Sequence, residues 1–125
     1  MRASLAAVAG LMLLGVLLPG CPLQPVDTRA RWGLDADCET HGIVEWAVTF
    51  TKQSSFGESY PCTGPGDYVS DAFRIHEGHC SVSVEALDSA GRVLAVRTTD
   101  GEVVADRDVF YFDLGTFTAA DFADP

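Results

Sequence analysis

Three sets of side chains in this chain have types and spacings that could do chemistry. His76, His79 and Cys80, with His41 as a fourth donor, offer the imidazole and thiolate groups that zinc and copper take. Their spacing points elsewhere, because His76 and His79 straddle a turn signal at Glu77-Gly78 and any extended backbone aims them differently. Solvated turn histidines are the expectation, so no metal is assigned to them. Asp35 with Asp37, and Asp106 with Asp108, each place two carboxylates on one side of an extended segment. Calcium gathers about six to eight oxygens and often sits between the loops of a sandwich, which makes these four the calcium candidates. No defined calcium loop surrounds them, and among 18 acidic residues pairs at this spacing arise as ordinary solvated loops. Nothing in their order marks a cleft flanked by two carboxylates for glycoside chemistry. Ser54, Ser55, Ser81 and Ser83 lack a small-residue elbow, and His79 next to Cys80 would alternate to the opposite face of a strand, so no nucleophile has its base. Trp32 and Trp46 offer flat rings on which a sugar could stack, but their periodicity places them in a core. The residues therefore specify no reaction and no cofactor.

The elements that must position these residues have period two. Val44, Trp46, Val48 and Phe50 alternate with Glu45, Ala47, Thr49 and Thr51, giving one apolar and one mostly small or polar face. Val82, Val84 and Ala86 against Ser81, Ser83 and Glu85 repeat the pattern, and Phe110, Phe112 and Leu114 give it again near the end. Ala30, Trp32 and Leu34 fit a first strand, and Phe73 with Ile75 a short middle one. Turn signals fall between them, at 33–42, 61–66, Glu77-Gly78, 88–91 and Asp100-Gly101. The last is the strongest hairpin signal, since Asp and Gly tolerate the positive φ of a type I′ turn, with arms expected at 93–98 and 102–105. No amphipathic helix is evident in this part of the chain; 118–121 could form a single turn. About seven short strands at intervals of about 8 to 12 residues predict an all-β fold, an antiparallel sandwich of two sheets over one core.

The start of the chain is different. Arg2, an apolar run over residues 5–18 and then Pro19-Gly20 have the parts of an export signal, and the run breaks well short of the roughly 20 apolar residues that cross a bilayer. Leu18-Pro19-Gly20-Cys21 resembles the lipobox of bacterial lipoproteins. That resemblance implies diacylglycerol on the Cys21 sulfur, cleavage before Cys21 and acylation of the new amino group. Anchoring would be permanent, because each buried methylene contributes about 0.8 kcal/mol and several chains act together. Pro22 stands where an inner-membrane lipoprotein of that family tends to carry aspartate, so the outer membrane is favoured, at its periplasmic face or the cell surface. Residues 1–20 are then the signal, 21–27 a proline-containing tether and 28–125 the sandwich domain.

A second resemblance spans about residues 30 to 114. Trp32, Cys38, Gly42, the Val44-x-Trp46-x-Val48 strand, Tyr60-Pro61-Cys62, Glu77-Gly78, Val82-x-Val84, Leu87-Asp88 and Gly91-x-Val93 are similar to a group of small uncharacterised Gram-negative lipoproteins with one immunoglobulin-like or transthyretin-like domain. Cys80 departs from that pattern, occupying a position where a tyrosine is usual. The resemblance implies a sandwich and brings no catalytic residue with it.

Four cysteines in an exported chain suggest two disulfides, but lipid on Cys21 leaves three. Cys38 and Cys62 lie in neighbouring loops and are the expected pair, with Cys80 a buried thiol on the parity of Val82 and Val84. The rivals are Cys62 with Cys80, or Cys80 with another molecule. Beyond the signal, 18 acidic residues face seven basic ones, since only Arg2 of the eight falls within it. Such a charge excludes a nucleic-acid partner and adhesion to anionic lipid by charge alone. The expected protein is a non-catalytic, membrane-anchored module that binds or supports another envelope component. The alternative is a module that binds calcium or a glycan.

Overall fold

The structure, a computed structural model, describes residues 24–122. The signal segment and Cys21 lie outside the described residues. The elements run β1 Pro25–Leu34, α1 Cys38–His41, β2 Glu45–Thr51, β3 Ser55–Pro61, β4 Gly66–Val69, β5 Phe73–His76, β6 Gly78–Leu87, β7 Val93–Val103 and β8 Val109–Phe117, closed by a 3-10 turn at Ala119–Phe122. They form two sheets packed face to face. One has the order β3-β2-β6-β7 and is antiparallel throughout; in the other, β1 pairs with β4 and β5 in antiparallel sense and with β8 in parallel. The all-β sandwich read from the alternation is therefore present, with eight strands and one mixed sheet.

Alternation fills the core from both sheets. Trp46, Val48 and Phe50 of β2 and Cys80, Val82, Val84 and Ala86 of β6 are buried against Val26, Ala30, Trp32 and Leu34 of β1 and Phe112, Leu114 and Phe117 of β8. Val44 is a correction to the β2 pattern: it precedes the strand and is half exposed. β1 begins at Pro25, so its first three residues belong to the segment read as tether. Thr28 and Ser70 are the buried polar side chains, and both are satisfied. Thr28 Oγ1 donates to Val26 O at 3.0 Å, while Ser70 Oγ accepts from Ala30 N at 2.9 Å and donates to Asp71 O. Ser70 thus carries the β1 ladder across the break that separates β4 from β5.

Two local features reset the expected pattern. Asp100-Gly101 is not a hairpin turn: β7 runs straight through it, with Asp100 opposite Ser81 and Gly101 opposite Cys80. Gly101 is there because a Cβ would stand 3.3 Å from the Phe112 ring, so the missing side chain makes room for the core. The hairpin between β6 and β7 closes instead at 88–92, where Asp88 Oδ1 accepts from Ala90 N and Arg92 N, both at 2.9 Å. In β8, Gly115 takes φ +75° where the pairing with β1 shifts register. This bulge moves the inward position from Thr116 to Phe117, which is fully buried.

Candidate functional site

Strand directions sort the loops to two ends of the sandwich. β1, β3, β6 and β8 start, and β2, β5 and β7 finish, at the end where the chain enters, bringing together the connections 52–54, Glu77 and 104–108. The opposite end holds α1, the loop 62–65, the 88–92 turn and the closing 3-10 turn.

This far end is the bridged end. Cys38 and Cys62 form a disulfide with Sγ atoms 2.08 Å and Cα atoms 6.1 Å apart, tying the start of α1 to the loop after β3. Tyr68 fastens the same loop a second time. Its hydroxyl accepts from Thr63 N and Gly64 N at 3.0 and 3.1 Å and donates to Gly64 O. Gly64 N also faces Cys38 Sγ at 3.1 Å. The Tyr68 ring lies flat on Trp32, centroids 5.6 Å apart, and Trp32 meets Trp46 edge-on at 5.9 Å. Both tryptophans are core residues with exposures of 3% and 0%, so neither offers a free face to a sugar. Their indole N–H groups are buried without a partner among the described residues, a cost that the aromatic packing has to outweigh. Beside the disulfide lies an open cavity of about 440 Å³, lined also by Asp37, Glu39 and Thr63.

The carboxylate pairs do not converge. Asp35 and Asp37 follow β1 at the bridged end, whereas Asp106 and Asp108 precede β8 at the other, roughly 23 Å away at about 3.3 Å per residue along β1. All four are exposed. Among the described residues no three His, Cys, Asp or Glu side chains come together as a metal site would need. The histidines are equally dispersed. His41 stacks on Phe122 at 4.1 Å at the bridged end, and His76 and His79 are exposed at the entry end, with His79 Nε2 3.4 Å from Asp100 Oδ2. Cys80 points the other way, into the core, where it is 1% exposed. Burial pushes its thiol up, against the opposing pull of the Thr51 backbone and Lys52. Ser81 and Ser83 alternate to the outer face of β6, away from that sulfur.

Two concave surfaces were not foreseen. On the outer face of the mixed sheet, a cavity of about 540 Å³ opens over Gly33 between Arg31, Asp67, Asp113 and Thr116. Its cation is already committed, since Arg31 Nε lies 3.6 Å from Asp113 and the guanidinium covers the Tyr111 ring at 4.6 Å. At the entry end a smaller cavity of about 250 Å³ is lined by Lys52, Arg74 and His76, with Gln53, Ser54 and Phe56. Its three ionisable side chains are all basic, in a chain of net charge −10. They come from the β2–β3 connection and from β5, more than twenty residues apart, so no local motif announces them. The scarcity of basic residues was the one signal that could have prompted a search for where they meet.

No protein-family model matches this chain, and no curated protein or solved structure matches it.

Proposed function

We propose that this chain is a bacterial envelope lipoprotein, anchored by acyl chains on Cys21, whose sandwich serves as a non-catalytic binding or structural module. The observation that carries the reading is the Leu18-Pro19-Gly20-Cys21 sequence at the close of an apolar run, only a few residues ahead of a folded domain whose first strand begins at Pro25. The Cys38–Cys62 disulfide supports an oxidising compartment, where such bonds persist. The outer membrane is favoured, at its periplasmic face or the cell surface. The module's means of engaging another envelope protein is β3, which among the described residues pairs only with β2 and leaves its other backbone edge open there to an added strand.

Intact mass of the protein extracted in detergent from a Gram-negative host tests the reading, after denaturation and thiol alkylation without reduction. The expected species begins at Cys21, carries acyl mass and has one alkylated thiol, Cys80. A chain that retains residues 1–20, or one that begins at Cys21 without added lipid, refutes the anchor.

A further inference from the structure

The domain lies within a short reach of its anchor. Gln24 is three residues beyond Cys21, so at full extension the acylated sulfur's backbone stands about 11 Å from Gln24. Gln24 is itself held to the entry end. Its carbonyl accepts from Glu77 N at 3.0 Å, its N–H donates to Glu77 Oε1 at 3.3 Å, and Glu77 Oε2 accepts from Ala105 N at 3.1 Å, joining the chain's entry to the connections on either side. With lipid on Cys21, a tether this short leaving from a point fixed in this way would hold the connections 52–54 and 104–108 nearer the bilayer than the bridged end.

Carboxylates outnumber cations at the entry end, with Asp27, Glu77, Asp100, Glu102, Asp106 and Asp108 beside Lys52, Arg74 and Arg107, so a site for an anion there is confined to the small cavity. Glu77 is occupied by backbone donors and Asp100 faces His79, while Asp106 and Asp108 flank Arg107 on the neighbouring connection. Arg74 is paired with Asp27 through Nη1 at 3.4 Å on its exposed side, as Arg31 is with Asp113, and has its remaining N–H groups to offer the cavity. The cavity wall itself holds Lys52, Arg74 and His76 and no carboxylate. The Lys52 ammonium lies over Gly78, where a Cβ would stand 3.2 Å from Nζ. Gln53 and Ser54 add neutral donors. This set fits one phosphate, and the surface within reach supplies phosphates in quantity.

We infer that the cavity lined by Lys52, Arg74 and His76 receives the phosphate of an anionic phospholipid headgroup, seating the sandwich on its membrane by the entry end and presenting the disulfide-bridged end outward. This rests on lipidation of Cys21, which supplies the proximity that a domain of this net charge could not gain by attraction.

The test uses the full lipidated chain reconstituted in vesicles that contain phosphatidylglycerol and a nitroxide-headgroup lipid. A fluorophore is attached at Val104→Cys or at Ala90→Cys, with Cys80 buried and the other two cysteines bonded. The expected result is flotation with the vesicles, strong quenching at 104 and none at 90. Lys52→Gln with Arg74→Gln should leave flotation intact and lower the ratio of seated to lifted domain by about fivefold per cation removed, the factor for a basic residue near an anionic surface. Equal quenching at both positions overturns the orientation. An undiminished ratio in the double variant overturns the headgroup site, as does an equal loss in Arg92→Gln at the far end. Failure to float is a separate outcome and refutes the anchor together with everything built on it.

Discussion

Replacing Cys38 and Cys62 by serine should cost about 3.5 kcal/mol, and the structure says where that cost arises. The bridge spans a sequence separation of 24. Closing a loop of that length removes about 12 cal/mol/K from the unfolded chain, or about 3.5 kcal/mol at 25 °C. Little should be lost from the folded state. Serine hydroxyls occupy less space than the disulfide, the loop 62–65 keeps its three hydrogen bonds to Tyr68, and Cys62 N still donates to Val44 O at 3.0 Å. Urea unfolding of the double variant, both forms carrying Cys21→Ser so that no acyl chain can be attached, gives the difference directly. For a domain of this size it amounts to a fall in Tm of about 15 to 25 °C. Near-UV circular dichroism should be unchanged, because Trp32, Trp46 and Tyr68 stay packed. A loss below about 1 kcal/mol would refute the loop-closure argument. A collapsed near-UV spectrum would refute it in another way, by showing that the bridge holds the native loops together. The rival pairing of Cys62 with Cys80 is excluded by distance. Val44 bonds to both Cys62 and Leu87, and Cys80 lies seven residues back along β6, roughly 23 Å away.

Two further outcomes follow from single contacts. Asp121 is partly buried, which pushes its carboxyl up, but the Thr118 N–H at 2.7 Å and the Arg97 guanidinium at 3.1 and 3.2 Å outweigh that and hold it below the usual carboxylate range. A depressed folded-state value contributes stability that is present above about pH 4, the unfolded value, and lost as pH falls through the folded one. Asp121→Asn should therefore cost about 2 kcal/mol at neutral pH, the worth of charge-assisted hydrogen bonds, with the gap to the parent closing in acid; urea titrations across pH measure it, and a gap independent of pH would refute the assignment. Gly57→Ala should destabilise by about 2 kcal/mol in thermal unfolding, because its Cβ would stand 2.1 Å from Val48 O and β3 must move away from β2. An unchanged Tm would show that the edge strand yields freely.

What could be read from the sequence was whatever a strand states about itself. Trp46, Val48 and Phe50 announce a buried face by period alone, and Val82, Val84 and Ala86 do the same, so the sheet with two-sided alternation was legible. Residues whose role is defined by another segment were not. Asp100-Gly101 carries the chemistry of a turn, but the glycine answers to Phe112, eleven residues further on, and the strand pairs on through it. Gly115 and Ser70 each repair a mismatch between β1 and its neighbours, and nothing local to them records which strand that neighbour is. The disulfide was legible because Cys38, before the Trp46 strand, and Cys62, after the next extended segment, fall in neighbouring loops.

Charge shows the same division, and it bears on the proposed seating of the domain at a membrane. Net charge is a sum over the whole chain, and at −10 it predicts repulsion from an anionic surface. Screening, however, confines each exposed charge to about 8 Å at physiological ionic strength, far less than the roughly 23 Å between the acidic bridged end and the entry end. A headgroup at the entry end is thus beyond the reach of Asp35, Asp37 and Glu39, and of that end's own surface, where Asp27, Glu77, Asp100, Asp106 and Asp108 lie, the small cavity is the part lined by Lys52, Arg74 and His76 without a carboxylate. The summed charge governs whether a free domain would approach the bilayer, whereas the proposed anchor would set which end faces it and leave to local charge where on that end a headgroup is received. On the proposed anchoring, a strongly acidic domain is therefore oriented by where its short tether leaves it, and its few cations act only locally, in the one cavity at that end that no carboxylate lines.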